Sequence, residues 1–245
     1  MSDPTAASPI LDEMRLHVST EPYKVFWKEA TGILESTIFI GDLLLITART
    51  AEPVDPDSPG YILNVFAKHE RRLTEMHLSR AVDNFLTYIS DLLQLILEQR
   101  PNMLPDSDTE VRLRDILKHE SKESLVKEII ERKVYSLSRK GIRELNAYLE
   151  RFYGLTLIKD KVLDKVADII ATRNIITHNR GIINALFCLE VPTAESQIGK
   201  PHSLKMTDFT VLSTPLIFIA EDLDKRAIDK FGLPASTYTP PPVVQ

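Results

Sequence analysis

The chain has 245 residues, and the 43% that are apolar suffice for a sizeable core and exclude a wholly disordered protein. A net charge of −5 excludes the broad basic surface of proteins that coat nucleic acids, and argues equally against an anionic membrane surface. The single cysteine, Cys188, excludes an intrachain disulfide and fits a reducing cytoplasm, where we expect a soluble protein.

The N-terminal part is predicted to be a leader followed by one long helix. Residues 1–20 lack the basic and apolar regions of a signal peptide, so we expect a flexible leader. Glu21 to about Arg49 is helical in pattern, but its most apolar part contains Glu35 and Asp42 and is too interrupted to cross a membrane. Apolar residues recur along it at mixed spacings, at Val25, Phe26, Ile33, Ile38, Leu44 and Leu45.

A second long helix is predicted from Tyr61 to about Gln99, after a proline-rich linker at Glu52–Gly60. If it is broken anywhere, the break lies near Met76–Ser79, and Pro101 ends it. Its second half carries one wide apolar stripe, which is typical of a helix that faces the core of a bundle. The stripe consists of Val82, Phe85, Leu86, Ile89, Leu92, Leu93, Ile96 and Leu97.

Shorter helices are predicted to follow. One ends at His119, and the next is capped by Ser121 and runs to about Arg139. Gly141 then marks a break, and another short helix ends at Gly154. The basic stretch around this break, Ser138 to Arg143, either guides RNA or is a solvated helix end.

The C-terminal third is predicted to hold two long helices. Asp160 to about Leu189 is the first, and an irregular segment with a short hairpin around Gly199 follows. The last helix runs from about Thr207 to Lys230, and Pro215 either kinks it or marks its true start.

Scarce glycine (8 residues) and long periodic segments together predict an all-α helical bundle. We expect a single domain over residues 21–232, with a disordered tail over 233–245. The sequence contains no G-x-G-x-x-G or P-loop motif, no cysteine pair and no H-E-x-x-H motif. We therefore expect no cofactor and no metal.

The stretch "RNIITHNRG", Arg173 to Gly181, concentrates hydrogen-bonding side chains on the helix that starts at Asp160. Asn174 and His178 are four residues apart and share one helix face, which Arg173 flanks. They are either a functional site or a buried packing amide and histidine. A glycine within a helix costs roughly 1 kcal/mol relative to alanine, so close packing or substrate approach should require Gly181.

Two further stripes are predicted on this helix. Small residues on the Asn174 face would let a second helix come close, as in a symmetric dimer. They are Ala167, Ala171, Gly181 and Ala185. Large residues on a neighbouring stripe would face the bundle core. They are Val162, Val166, Ile169, Ile176, Ile183 and Phe187.

The segment "RNIITH" resembles the R-x4-6-H motif of the HEPN superfamily, with Arg173, Asn174 and His178 at the motif positions. The continuation "HNRGIIN" and the upstream "AVDNFLTYISDLLQLILEQRP" also resemble HEPN helices, so the likeness covers about residues 61–230. It implies an up-and-down bundle that dimerises around the motif helices, here with an extra N-terminal helix and an irregular insertion. Many members are metal-independent endoribonucleases in toxin, anti-phage or RNA-processing roles, whereas others are inactive binding modules.

RNA can be cleaved without a metal if its own 2′-OH attacks the adjacent phosphate. Histidine suits the acid and base roles because its ordinary pKa lies near neutrality, so His178 is the predicted general acid or base. Arg173 would stabilise the phosphate, and Asn174 would orient the ring or contact substrate. Asn179 and Arg180 either contact substrate or are exposed helix residues. The expected partners are RNA, a second copy of the chain, and an antitoxin or defence-system protein.

Overall fold

The computed structural model describes residues 18–50, 61–105, 116 and 118–238. The predicted linker, most of the predicted helix before His119, the chain before residue 18 and the tail beyond residue 238 lie outside this description. Within it the prediction of an all-α bundle is confirmed. The α-helices are α1 Glu21–Thr50, α2 Tyr61–Gln99, α3 Lys122–Ser138, α4 Ile142–Tyr153, α5 Asp160–Asn179, α6 Ala185–Glu190 and α7 Met206–Phe231.

Helix α2 is the central helix, and α1, α3, α5 and α7 all pack against it. The predicted apolar stripe lies inside the bundle, where Val82, Phe85 and Leu97 have no exposed surface and only Leu86 is partly exposed. Burying one such side chain stabilises the fold by about 1.5–3 kcal/mol. The helix is continuous, without the break considered near Met76–Ser79, and Pro101 begins a short 3₁₀ helix directly after it.

Local signals in the sequence set the bounds of the middle helices. The hydroxyl of Ser121 accepts a hydrogen bond from the Ser124 amide at 3.1 Å, as a cap for α3. Gly154 ends α4 in the left-handed conformation, with φ at 59°. Pro215 lies inside the continuous α7, so it does not mark the start of that helix.

Helix α1 joins the bundle through its first half. Phe26, Trp27 and Ile33 belong to the main core, but Val25 is 53% exposed. Apolar side chains of the second half also face outward, at Ile38, Phe39, Leu43, Leu45 and Ile46. In the ranges that the structure describes, every helix is too short or too polar to span a bilayer.

The two ends of the described chain are joined by a two-stranded antiparallel sheet. Strand β1, Val18–Ser19, pairs with β2, Ser236–Thr237. Leu233 is 5% exposed and Thr20 is fully buried. Hydrogen-bonded structure therefore extends to residues 18–19 and 236–237, on either side of the predicted range of 21–232.

A buried carboxylate on α7 anchors this junction. Asp224 is 2% exposed and accepts hydrogen bonds from both the amide and the hydroxyl of Thr20, the amide at 3.0 Å. The Tyr88 hydroxyl from α2 lies 3.4 Å from the same carboxylate and donates to the Ala220 carbonyl at 3.0 Å. Burial raises the pKa of Asp224, and the bonds from Thr20 and Tyr88 oppose that rise.

Replacing this carboxylate should loosen the junction. In Asp224→Asn an amide N–H₂ would replace one acceptor and face the donors of Thr20, leaving a buried donor unsatisfied. We expect the free energy of unfolding to fall by about 1–3 kcal/mol in chemical denaturation. Asp229→Asn, an exposed change on the same helix, is the control and should stay within about 0.5 kcal/mol of the parent. Equal stability of the two variants would contradict the role of Asp224.

Candidate functional site

The helix that carries the motif ends directly after it. Helix α5 stops at Asn179, whereas the sequence had predicted helix to about Leu189, so that prediction was wrong. Arg180 and Gly181 both adopt positive φ, at 55° and 70°, and the Gly181 amide donates back to the Ile175 carbonyl at 2.9 Å. This is a helix-ending turn, which glycine favours. Gly181 is thus a stop signal and not a glycine inside a helix.

The chain returns after this turn and packs against α5. Ile183 and Phe187 join Ala171 and Ile175 in a second, smaller core, which Ala194 completes. Large residues on both sides of the turn therefore share one cluster, although they do not share a helix. The predicted stripe of large residues is divided, because Val162, Val166, Ile169 and Ile176 pack on the main core, whereas Ile183 and Phe187 belong to the smaller one.

Hydrogen bonds stabilise the returning segment. Asn184 caps α6 by accepting from the Phe187 amide at 2.9 Å. Near Gly199 the chain forms an isolated antiparallel bridge between Ile182 and Pro201, where a hairpin had been predicted. A 3₁₀ helix, Pro192–Gln197, occupies the intervening segment.

The predicted dimer strip of small residues is not available to a second copy. Ala167 and Ala171 are buried within their own chain, at 2% and 6% exposure. Gly181 lies in the turn and Ala185 begins α6, so neither shares a helix face with Asn174. These small residues therefore do not form a surface on which a second copy could pack, and this part of the prediction was wrong.

The three motif residues lie on the outside of α5 and line one cleft. Asn174 and His178 are exposed, as their four-residue spacing allows, and the Arg173 side chain is 21% exposed. The cleft has a volume of about 670 Å³ and is open to solvent. Among the described residues, the His178 ring has no hydrogen-bond partner in its own chain, so it is free to meet a ligand.

The wall facing the motif consists of α2 and the α3–α4 corner. Helix α2 contributes Asp83, Thr87 and Ser90, and the corner contributes the stretch Ser138–Gly141. The predicted basic cluster is thereby split. Arg139 and Lys140 line the cleft, but Arg143 forms ion pairs with Asp164 and Glu190, whose hydrogen bonds raise the pKa of its guanidinium.

Arg173 is held in place by its neighbours. Its Nη2 forms an ion pair with Asp83 of α2, and its Nη1 donates to Oδ1 of Asn174 at 3.1 Å. Its Nε is buried and has no hydrogen-bond partner. The guanidinium therefore fixes the amide of Asn174 so that its N–H₂ group remains available, while Asp83 offsets part of the positive charge.

The other two predicted substrate contacts do not line the cleft. The Asn179 amide donates to the Ile182 carbonyl at 2.6 Å and so braces the turn. Arg180 is exposed, and its carbonyl accepts from the Arg71 guanidinium at 3.3 Å. The structure thus brings together Arg173, Asn174 and His178, without Asn179 or Arg180.

Sequence reasoning missed the α2 wall of the cleft. Asp83, Thr87 and Ser90 are spaced by four and three residues, so they form a polar stripe beside the apolar stripe of α2. This spacing could have identified the polar stripe from the sequence. It does not, however, show that the stripe faces the motif helix.

Comparison of the chain with protein-family models, curated proteins and solved structures finds no match in any of the three. The HEPN relationship suggested by Arg173, Asn174 and His178 therefore stays a prediction. Nowhere among the described residues do three or more His, Cys, Asp or Glu side chains form a group that could hold a metal ion.

Adding a side chain at Gly181 should destabilise the turn that ends α5. A Cβ there would lie 2.5 Å from Nη2 of Arg71 and 2.6 Å from Oε1 of Glu75. Gly199 also has positive φ but open space around it, so Gly199→Ala isolates the backbone strain. We expect about 1–2 kcal/mol of destabilisation for Gly199→Ala and more for Gly181→Ala in denaturant titrations. Equal losses would show that the contacts with Arg71 and Glu75 are unimportant.

Lowering the pH should also destabilise the fold, through His202. Burial, and then the charge of Arg71, lower the pKa of His202, although Asp208 and Glu75 oppose this. The unfolded chain therefore takes up this proton more readily than the folded chain. The stabilising contribution of His202 is complete above its ordinary pKa of about 6.5 and is lost as the pH falls through the lowered folded value.

Between pH 7.5 and pH 5 we expect the free energy of unfolding of the wild type to fall relative to that of His202→Gln, because the raised pKa of Asp224 acts in the opposite direction in both proteins. The same slope in wild type and His202→Gln would contradict this assignment.

Proposed function

We propose that the chain is a metal-independent endoribonuclease. One observation supports this above all: Arg173, Asn174 and His178 line a single open cleft together with the basic corner that holds Arg139 and Lys140. A cleft with an imidazole, an amide and three cationic side chains suits a phosphodiester substrate. The overall charge of −5 means that RNA binding would depend on this local patch.

In the proposed reaction the 2′-oxygen of a ribose attacks the adjacent phosphorus while a base removes its proton. The bond from phosphorus to the 5′-oxygen breaks, and an acid protonates the leaving oxygen. The products carry a 2′,3′-cyclic phosphate and a 5′-hydroxyl. His178 supplies one of the two proton transfers, and Arg173 stabilises the negative charge on the phosphorane through the N–H groups that Asp83 and Asn174 leave free.

The second proton-transfer group is proposed to come from a second copy of the chain. Within the described residues His178 is the one histidine that lines the cleft. A homodimer formed around the end of α5 would supply another imidazole. The neighbouring α6 offers apolar surface for such a contact, because Leu186 and Leu189 are 73% and 77% exposed.

The HEPN resemblance supports a role in toxin or anti-phage defence in the cytoplasm, with an antitoxin or defence-system protein as a further partner. A second candidate is a binding module that dimerises and holds RNA or a nucleotide without turnover. The ion pair between Arg173 and Asp83 favours this alternative, because it reduces the charge available to a transition state.

An RNase assay in EDTA separates these functions. The wild type should cleave single-stranded RNA to 2′,3′-cyclic phosphate ends, and His178→Ala should lower the rate by about 10²- to 10⁴-fold with the fold intact. His69→Ala, which changes a histidine outside the cleft, should retain full activity. Cleavage only with added Mg²⁺ would contradict the mechanism, and RNA binding without cleavage by wild type and variant alike would favour the binding module.

A further inference from the structure

We propose that the α3–α4 corner binds the nucleotide next to the cleaved phosphate, with the base stacked on Tyr135 and the backbone held by Arg139 and Lys140. The chain would thus select single-stranded RNA. This inference rests on the proposed function, since it extends the same cleft along the substrate.

The first observation is an exposed aromatic ring beside a basic group. Tyr135 lies on the last turn of α3 with 65% of its surface exposed, so its ring is accessible to a ligand. The Arg139 guanidinium lies 5.7 Å from the centre of the ring. Ser138 donates to the Tyr135 carbonyl at 2.9 Å, so the backbone under this pair is fixed.

The second observation is that, among the described residues, no carboxylate forms an ion pair with Arg139. Arg132, Arg143 and Arg226 all form ion pairs with acidic side chains. Arg139 has no acidic partner among the residues that the structure describes, and it is exposed. Its charge is therefore available to a phosphate.

The third observation is continuity with the motif. Arg139 and Lys140 line the same cleft as Arg173 and His178, and Tyr135 lies one helical turn before Arg139. Tyr135 itself does not line the cleft, but a strand that leaves the cleft across Arg139 would bring a neighbouring base to the ring. Lys140 also pairs with Glu144, so Arg139 is the stronger contact.

The chemistry of this corner points to unpaired RNA. Every base has a flat face that can stack on an aromatic ring or a guanidinium, so the contact tolerates any sequence. The bases of a duplex are already stacked on one another, and they cannot reach a side chain on a protein surface without unpairing. The corner therefore binds a single strand and not a helix.

A matched control exists on the neighbouring helix. Arg151 and Phe152 on α4 form the same kind of pair, with the guanidinium 5.2 Å from a ring that is 40% exposed. The difference is that Arg139 lines the cleft and Arg151 does not. A general effect of removing an exposed aromatic residue would appear equally at Phe152.

The test measures binding of a short single-stranded RNA, and of its duplex, by the His178→Ala protein, in which cleavage does not interfere. Adding Tyr135→Ala should weaken single-strand binding by about 5- to 100-fold, whereas Tyr135→Phe and Phe152→Ala should leave it unchanged. Arg139→Gln should weaken binding and lower the salt dependence by about one phosphate contact. Duplex RNA should bind weakly, and Tyr135→Ala should not alter its binding.

The outcomes separate this inference from the nuclease proposal. Unchanged single-strand binding in Tyr135→Ala, or equal binding of duplex, overturns the subsite even if the wild type cleaves RNA. Loss of binding in Tyr135→Ala, together with a wild type that does not cleave, supports the subsite and overturns the nuclease. Failure to bind any RNA overturns both.

Discussion

The candidate site depends on one constraint, which is that α5 must end at Asn179 so that the chain can fold back against it. Two consecutive residues with positive φ, Arg180 and Gly181, make this reversal. The returning segment then buries Ile183 and Phe187 against Ala171 and Ile175 of α5. With that side occupied, Asn174 and His178 face outward. The small core therefore determines which face of the helix is left for a ligand.

The contacts of Arg173 have two opposing effects on the site. The ion pair with Asp83 and the bond to Asn174 hold the guanidinium in one position, which is useful to a site that must meet a phosphate in a defined geometry. The ion pair with Asp83 also reduces the positive electrostatic potential in the cleft. Because Asp83 belongs to the central helix α2, the motif is tied to the most buried element of the bundle, and its geometry does not depend on a flexible loop.

Sequence reasoning identified what is local or periodic. The stripe of α2, the Ser121 cap and the end of α4 at Gly154 each follow from a short pattern with a direct physical meaning. The end of α5 was missed because the apolar spacing continues across the turn and Gly181 was interpreted as a packing residue. The pairing of β1 with β2 joins residues more than 200 positions apart, and two-residue strands carry no recognisable pattern. The convergence of Arg139 with His178 depends in the same way on tertiary packing.

The sheet that joins Val18 to Thr237 also determines where the chain can be cut. Since these residues are neighbours in space, a short linker could connect them, and new termini could be opened at an exposed corner elsewhere. A circularly permuted chain of this kind would keep every helix of the bundle in its place. The order of the helices along the polypeptide is thus separable from the architecture that they build.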